Sequence, residues 1–176
     1  IGREAGPFKR LVTAGLREME NTSDVLKKRL LKMDELRVQG VCLFPNDVQV
    51  SHSIRDVLAL SVGAPETLSE SGPAFSVAGR MMAVNKFGKA AFVRFRDRTG
   101  SMQAYVRKDR IGEEAYTFFK QLDIGDIIRL KGTLFQTKTG EWTLLADALM
   151  LASKATRPLP EKFHGLKDPE KRYRQR

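Results

Sequence analysis

The sequence predicts a mainly β fold with helices, in which a five-stranded closed Greek-key barrel follows a set of N-terminal helices. The first observation behind this prediction is that five strand-like segments fall between residues 74 and 152, with one helical segment after the third. The second is Gly132 inside the fourth strand-like segment, where a small barrel turns a corner. This element order favours a small closed barrel over an open α+β sheet.

Residues 1–22 form an N-terminal extension whose order the sequence does not define. Apolar residues about four apart allow an amphipathic helix over residues 5–20, beginning near Pro7. Residues 23–73 are the next segment, a pair of helices followed by a connector. Spacing predicts helices over residues 24–39, ending at Gly40, and over residues 53–60, whereas residues 62–73 are rich in Gly, Pro, Ser and Glu.

Residues 74–152 hold the barrel. We expect strands over residues 75–84, 127–136 and 141–152, a hairpin over 90–107 and a helix over 111–122. Three strands, a helix and two strands is the order of the oligonucleotide-binding (OB) fold, a small closed sheet with one binding face. Residues 153–176 leave this pattern with Arg157-Pro-Leu-Pro160 and then a helix start at Asp168.

Charge is distributed unevenly along the 176 residues, which carry a net charge of +10. Residues 1–73 carry 10 basic and 10 acidic side chains, residues 74–152 carry 13 and 8, and residues 153–176 carry 8 and 3. A basic domain with a basic tail suits a polyanion such as a nucleic acid. An anionic membrane is disfavoured because no basic amphipathic helix with bulky apolar anchors carries the charge. Basic residues of helix 24–39 (Lys27, Lys28, Arg29 and Lys32) are either solvated or a nucleic-acid contact.

The hairpin over residues 90–107 is the clearest functional signal. Alternation places Phe92, Arg94 and Arg96 on one strand face and Gln103, Tyr105 and Arg107 on one face of the next. Aromatic rings among arginines suit nucleic acid, although cross-strand packing and edge solubility would need the same residue types. An even-length loop at residues 97–100 brings Phe92 and Gln103 onto one face, whereas a three-residue loop with a bulge at Gly100 separates them.

The sequence contains no motif of a catalytic site. A phosphate-binding glycine loop, a Gly-x-Ser-x-Gly nucleophile and zinc motifs are all missing from the sequence. The sequence has one cysteine, Cys42, which we expect in the core. A single cysteine cannot form an internal disulfide, which fits a reducing, cytoplasmic setting. We therefore expect a binding surface with no catalytic residue, no cofactor and no metal, built from stacking rings, base-reading polar groups and cations: Phe92, Tyr105, Gln103, Glu141, Arg80, Lys86, Lys89 and Arg94.

The sequence resembles the anticodon-binding domain of bacterial-type class II lysyl-tRNA synthetases from about Leu26 to Arg176. The resemblance is carried by Val77-Ala-Gly-Arg80, Gly88-Lys-Ala-Ala-Phe92, Ser101-Met-Gln-Ala-Tyr-Val106, Leu122-Asp-Ile-Gly-Asp-Ile127 and Thr137-Lys-Thr-Gly-Glu141. The most specific part is Arg157-Pro-Leu-Pro-Glu-Lys-Phe-His-Gly-Leu-Lys-Asp168, running into Arg172-Tyr-Arg-Gln-Arg176. This last stretch distinguishes the lysyl family from its aspartyl and asparaginyl relatives.

Site roles follow from the resemblance. It implies that Phe92 stacks on the central anticodon uridine, that Gln103 hydrogen-bonds the edge of that base, and that Glu141 reads the third anticodon base. Family members commonly have an arginine where this chain has Asn85, and the neighbouring Lys86 is the candidate cation in its place.

The resemblance also implies a larger protein. Residues 153–176 would link the barrel to a C-terminal catalytic domain, which dimerises and joins lysine to tRNA(Lys) using ATP and magnesium in the cytoplasm. Two other functions remain possible from the residues alone. One is a stand-alone single-stranded nucleic-acid-binding barrel without sequence choice, and the other is a protein-interaction module in which a partner covers Phe92 and Tyr105.

Overall fold

A computed structural model describes residues 24–63 and 72–159. The predicted helix over residues 5–20, most of the connector and the tail beyond residue 159 lie outside the described residues. Two helices, α1 (Asp24–Val38) and α2 (Ile54–Gly63), precede strands β1 (Phe75–Phe87), β2 (Ala90–Arg96) and β3 (Ser101–Arg107). Helices α3 (Lys108–Ile111) and α4 (Glu113–Gln121) then lead to strands β4 (Ile127–Gln136) and β5 (Trp142–Ser153).

The five strands close into a barrel in the order β1-β2-β3-β5-β4, which confirms the predicted OB fold. Strands β3 and β5 pair in parallel, and the other neighbouring strands pair antiparallel. Gly132 is needed where β4 bends against β5, because a Cβ there would lie 1.9 Å from the carbonyl oxygen of Leu145. The corner predicted at Gly132 coincides with a register shift between Lys131 and Gly132.

Alternating side chains of the strands fill the barrel, with Val77, Val93, Phe95, Ala104 and Leu130 fully buried. Helix α4 adds Tyr116 and Phe119 to the same core, and the Tyr116 hydroxyl donates a hydrogen bond to the carbonyl of Gly88 at 3.0 Å.

Several predicted boundaries are corrected. Strand β1 runs to Phe87 rather than ending near residue 84, because it pairs with β2 as far as Ala90. The predicted helix over residues 111–122 is α4, which begins after Gly112, where φ is +89°, and the short helix α3 before it was not predicted. Cys42 is exposed rather than buried, since the core takes Leu43 beside it.

Helix α1 packs Met33 and Leu36 into the core, and two of its basic residues bind the barrel. The Arg29 guanidinium donates to the carbonyls of Ile124, Arg157 and Ala155 at 2.8, 3.0 and 3.4 Å. The Lys32 ammonium lies 2.6 Å from the Asp123 carboxylate. Protein contacts, rather than solvent or nucleic acid, therefore occupy these two side chains.

A candidate nucleic-acid interface on the outer face of the barrel

The register of the β2–β3 hairpin determines which side chains share a face. Arg96 pairs with Ser101, so four residues, 97–100, form the loop. The Asp97 carboxylate accepts hydrogen bonds from the amides of Thr99 and Gly100 at 2.6 and 2.9 Å, which holds the turn closed. Phe92 consequently stands opposite Tyr105 and Arg94 opposite Gln103. The even-length arrangement is the one present, and the candidate residues share one face.

Four aromatic rings form a row across this face. The Phe92 and Tyr105 rings are stacked, with centroids 4.6 Å apart and planes 23° apart. Phe87 meets Phe92 edge-on at 6.1 Å, and Phe135 lies 6.2 Å from Tyr105. Phe87 is 61% exposed, and the other three rings are half-buried. The row offers flat π surface to a partner that carries flat groups of its own.

Polar groups border the row at the β4–β5 turn. Arg94 donates to a carboxylate oxygen of Glu141 at 2.8 Å, and both side chains stay about two-fifths exposed. The Glu141 backbone is fixed because its amide donates to the Thr137 hydroxyl at 3.1 Å and its carbonyl accepts the Thr137 amide at 3.0 Å. A carboxylate is thus held in reach of solvent beside the rings.

Gln103 lies beside this pair. Its Nε2 donates to the hydroxyl oxygen of Thr143, which is fully buried, at 3.1 Å. The Thr143 hydroxyl in turn donates to the carbonyl of Glu141 at 3.4 Å. Strand pairing explains the proximity, because Gln103 is in register with Thr143 across the parallel β3–β5 ladder.

The structure brings most of the predicted site residues together and separates two of them. Asn85 is exposed opposite Phe92 on β1, and so joins the face that holds Phe92, Arg94, Gln103 and Glu141. Lys86 turns toward α4, where its ammonium lies 3.4 Å from the carbonyl of Lys120 and 5.9 Å from the centre of the Phe119 ring.

Arg80 lies further along β1, opposite Arg96, and donates to the carbonyl of Gly125 at 2.8 Å. Its guanidinium is therefore partly occupied at the end of the barrel where β4 begins. The exposed Arg96 and Arg98 are its basic neighbours in a shallow depression there.

Three residues of this face escaped sequence reasoning: Phe87, Phe135 and Thr143. Phe135 follows buried Gly132, Thr133 and Leu134, so the irregularity at Gly132 hides the alternation that would have placed Phe135 outside. Thr143 could have been found, because period two from Glu141 places both residues on one face.

The residues that the structure describes include no group of three or more His, Cys, Asp or Glu side chains able to hold a metal ion. Within the same residues, no helix is both long and apolar enough to cross a membrane.

Comparison with known proteins agrees with this geometry. Residues 75–152 match the profile of the OB-fold nucleic acid binding domain, which agrees with the five-stranded barrel. The predicted resemblance to lysyl-tRNA synthetases is also confirmed. The chain is 47% identical over 154 residues to the lysine–tRNA ligase of Anaeromyxobacter dehalogenans, covering 87% of this chain and 30% of that protein.

Similar matches come from other bacteria. The lysine–tRNA ligase of Listeria innocua is 45% identical over 158 residues (89% of this chain, 32% of that protein). The lysine–tRNA ligase of Cupriavidus metallidurans is 44% identical over 165 residues (93% of this chain, 32% of that protein). The chain thus spans about a third of the length of the relatives it matches.

Proposed function

We propose that this chain recognises the anticodon loop of tRNA(Lys) as part of a lysine–tRNA ligase. The observation that carries the proposal is the shared outer face, on which a ring row adjoins Gln103 and Glu141. Stacking on such rings contributes about 1–3 kcal/mol per base with little sequence preference, and the amide and carboxylate add choice by pairing with base edges.

Each residue takes one role in this proposal. Phe92 stacks on the central uridine, Gln103 hydrogen-bonds the edge of that base, and Glu141 accepts from the third base. Asn85 lies beside the stacked base, and Arg94 orients Glu141 through their ion pair. Arg80 and Lys86, whose cations lie off the face, act on the phosphate backbone through long-range attraction.

The rest of the ligase belongs to the same proposal. A catalytic domain following this chain would use ATP and magnesium to join lysine to the tRNA, and would supply the contacts of a homodimer in the cytoplasm. The described residues carry no step of that reaction; they bind and position the tRNA.

Binding of anticodon stem-loops tests the proposal. The chain should prefer a stem-loop with UUU to one with a substituted central base, in fluorescence anisotropy titrations at fixed salt. Phe92→Ala should weaken binding of the UUU stem-loop by roughly 5- to 100-fold, because one stacking platform is lost.

Phe44→Ala is the matched control, since Phe44 is 49% exposed and lies outside the ring row. It should leave binding unchanged. Equal affinity for all stem-loops would refute anticodon recognition. Equal binding of poly-U and poly-C DNA with a steep salt dependence would instead identify a barrel without sequence choice.

A further inference from the structure

The hydroxyl group of Thr143 is buried beneath the outer face of the barrel, where it contacts Gln103. Its side chain is fully buried, and it accepts a hydrogen bond from Gln103 Nε2 at 3.1 Å. The same hydroxyl donates to the carbonyl of Glu141, with the two oxygen atoms 3.4 Å apart. The hydroxyl therefore joins the amide of Gln103 to the backbone of Glu141.

The orientation of the Gln103 amide decides what it can read. One N–H is held by Thr143, so Oε1 and the second N–H are left for a ligand as an acceptor and a donor side by side. Uracil presents a carbonyl acceptor next to an N–H donor on its pairing edge, and cytosine presents an amino donor next to a ring-nitrogen acceptor. An amide free to turn over would satisfy either base, because its oxygen and nitrogen ends are nearly the same in shape.

Turning the amide over would place Oε1 against the Thr143 hydroxyl. That hydroxyl would have to donate to Gln103 and abandon the Glu141 carbonyl, which lies under the residue proposed to read the next base. The bond to Thr143 therefore favours one orientation of Gln103 over the other.

We propose that Thr143 is a specificity-determining positioning residue, which holds the Gln103 amide in the orientation that selects uracil over cytosine at the central anticodon position. The inference rests on the proposed function. Thr143 itself does not reach the base, because its side chain is buried beneath the face.

Thr143→Val tests the inference, since valine keeps the shape of threonine without its hydroxyl. The ratio of affinities for stem-loops with UUU and UCU anticodons should fall roughly five- to tenfold, the equivalent of about one hydrogen bond. The fall should come mainly from tighter binding of UCU. Thr143→Ser keeps the hydroxyl and should retain the wild-type ratio.

A direct measurement covers the case in which Thr143→Val does not fold. The side-chain NH₂ resonances of Gln103, assigned with Gln103→Ala, should show slow hydrogen exchange for one proton in wild type and in Thr143→Ser. Equal, fast exchange of both protons in wild type would overturn the inference.

The outcomes separate the two proposals. A wild-type chain that does not prefer UUU to UCU refutes the proposed function. A wild-type preference that folded Thr143→Val keeps in full refutes the role of Thr143 alone. A uniform loss of affinity for both stem-loops in Thr143→Val would also overturn it, since that result indicates only a disturbed surface.

Discussion

Glu141 illustrates how a residue proposed to act in binding can contribute little to stability. Its ion pair with Arg94 has an N···O distance of 2.8 Å, yet the two side chains are 40% and 45% exposed. Solvent screens such pairs, which typically contribute less than about 1 kcal/mol. The pair therefore orients a carboxylate more than it holds the fold together.

Glu141→Gln should change the preference for the third anticodon base while the free energy of unfolding changes by less than about 1 kcal/mol. The amide offers a donor where the carboxylate only accepts, so bases that present an acceptor should gain. Stem-loops varied at the third base, together with urea denaturation, measure both effects.

Asp147→Asn is the matched control for Glu141→Gln. Asp147 is 39% exposed and also pairs with an arginine, Arg110, at 2.7 Å, but it lies six residues further along the chain on β5. It should change neither readout. A Glu141→Gln chain with unchanged third-base preference would remove Glu141 from the proposed site.

The turn between β2 and β3 fastens a helix to the barrel. Asp97 accepts the amide of Ile54 at 2.8 Å, and the Thr99 hydroxyl accepts the amide of Arg55 at 3.1 Å, so the turn caps the N-terminus of α2 from a distant part of the chain. Burial raises the pKa of Asp97, but hydrogen bonds from the amides of Ile54, Thr99 and Gly100 and from the Thr99 hydroxyl outweigh it and hold the pKa below its ordinary value.

Asp97→Ala should lower the free energy of unfolding by about 1–3 kcal/mol, because it leaves the amides at the start of α2 and in the turn without their acceptor. Since the pKa of Asp97 is depressed, its contribution is present above the unfolded-state pKa, near 4, and is lost as pH falls toward the folded-state pKa. Urea denaturation at pH 7 and pH 3 should therefore show a smaller difference between variant and wild type at pH 3. A difference that does not depend on pH would contradict this account.

Elements with regular periodicity were predictable from the sequence, and irregular ones were not. Helix α1 and strand β4 have the predicted bounds to within one residue, because Leu26, Leu30, Met33 and Leu36 recur at helical spacing and β4 alternates from Ile127 as far as Gly132. The short helix α3 was missed, because a single turn is too short to show a helical repeat. The cap from Asp97 to α2 was also missed, since no local pattern links residues 43 positions apart.

The site shows the same division. The residue types and strand pattern already mark Phe92, Gln103 and Glu141 as candidate binding residues, and the resemblance implies their roles. The register that places Phe92 and Gln103 on one face depends on the four-residue loop at 97–100, which the sequence alone does not choose. Phe135 lies on the outer face because the strand irregularity at Gly132 shifts the alternation before it. The cations of Arg80 and Lys86 are positioned by the carbonyls of Gly125 and Lys120. Side-chain positions of this kind are set by tertiary contacts, so a local sequence pattern does not predict them.

At the scale of the whole molecule, a buried charge cluster joins the N-terminal helix to the point where the chain leaves the barrel. The ammonium of Lys154 and the carboxylate of Asp126 are both fully buried, 2.7 Å apart, and Asp126 also accepts the amides of Asp123 and Ala155. Asp123 bridges Lys154 and Lys32 at 2.6 Å each. The cluster thus fixes residues 154 and 155 against α1 and the start of β4.

Lys154→Met should lower the free energy of unfolding by about 3–5 kcal/mol, because it leaves the buried Asp126 carboxylate without its cation. Lys32→Met is the matched control, since its side chain is 33% exposed and its removal should cost less than about 1 kcal/mol. Guanidinium denaturation at pH 7 compares the two variants with wild type. Similar losses of unfolding free energy in the two variants would show that burial does not determine how much each lysine stabilises the fold.

The pH dependence of the same variants tests the cluster independently. Burial raises the pKa of Asp123, but hydrogen bonds from the Lys154 and Lys32 ammonium groups and their charges outweigh it, so its pKa lies below the ordinary value. Stability from a depressed pKa is complete above the unfolded-state value, near 4, and is lost as pH falls toward the folded-state value. Wild type should therefore lose more stability between pH 5 and pH 2 than Lys154→Met, and their unfolding free energies should converge at low pH. Parallel curves would mean that Lys154 stabilises the barrel through packing, and the exit of the chain would then be fixed by Arg29 and the backbone alone.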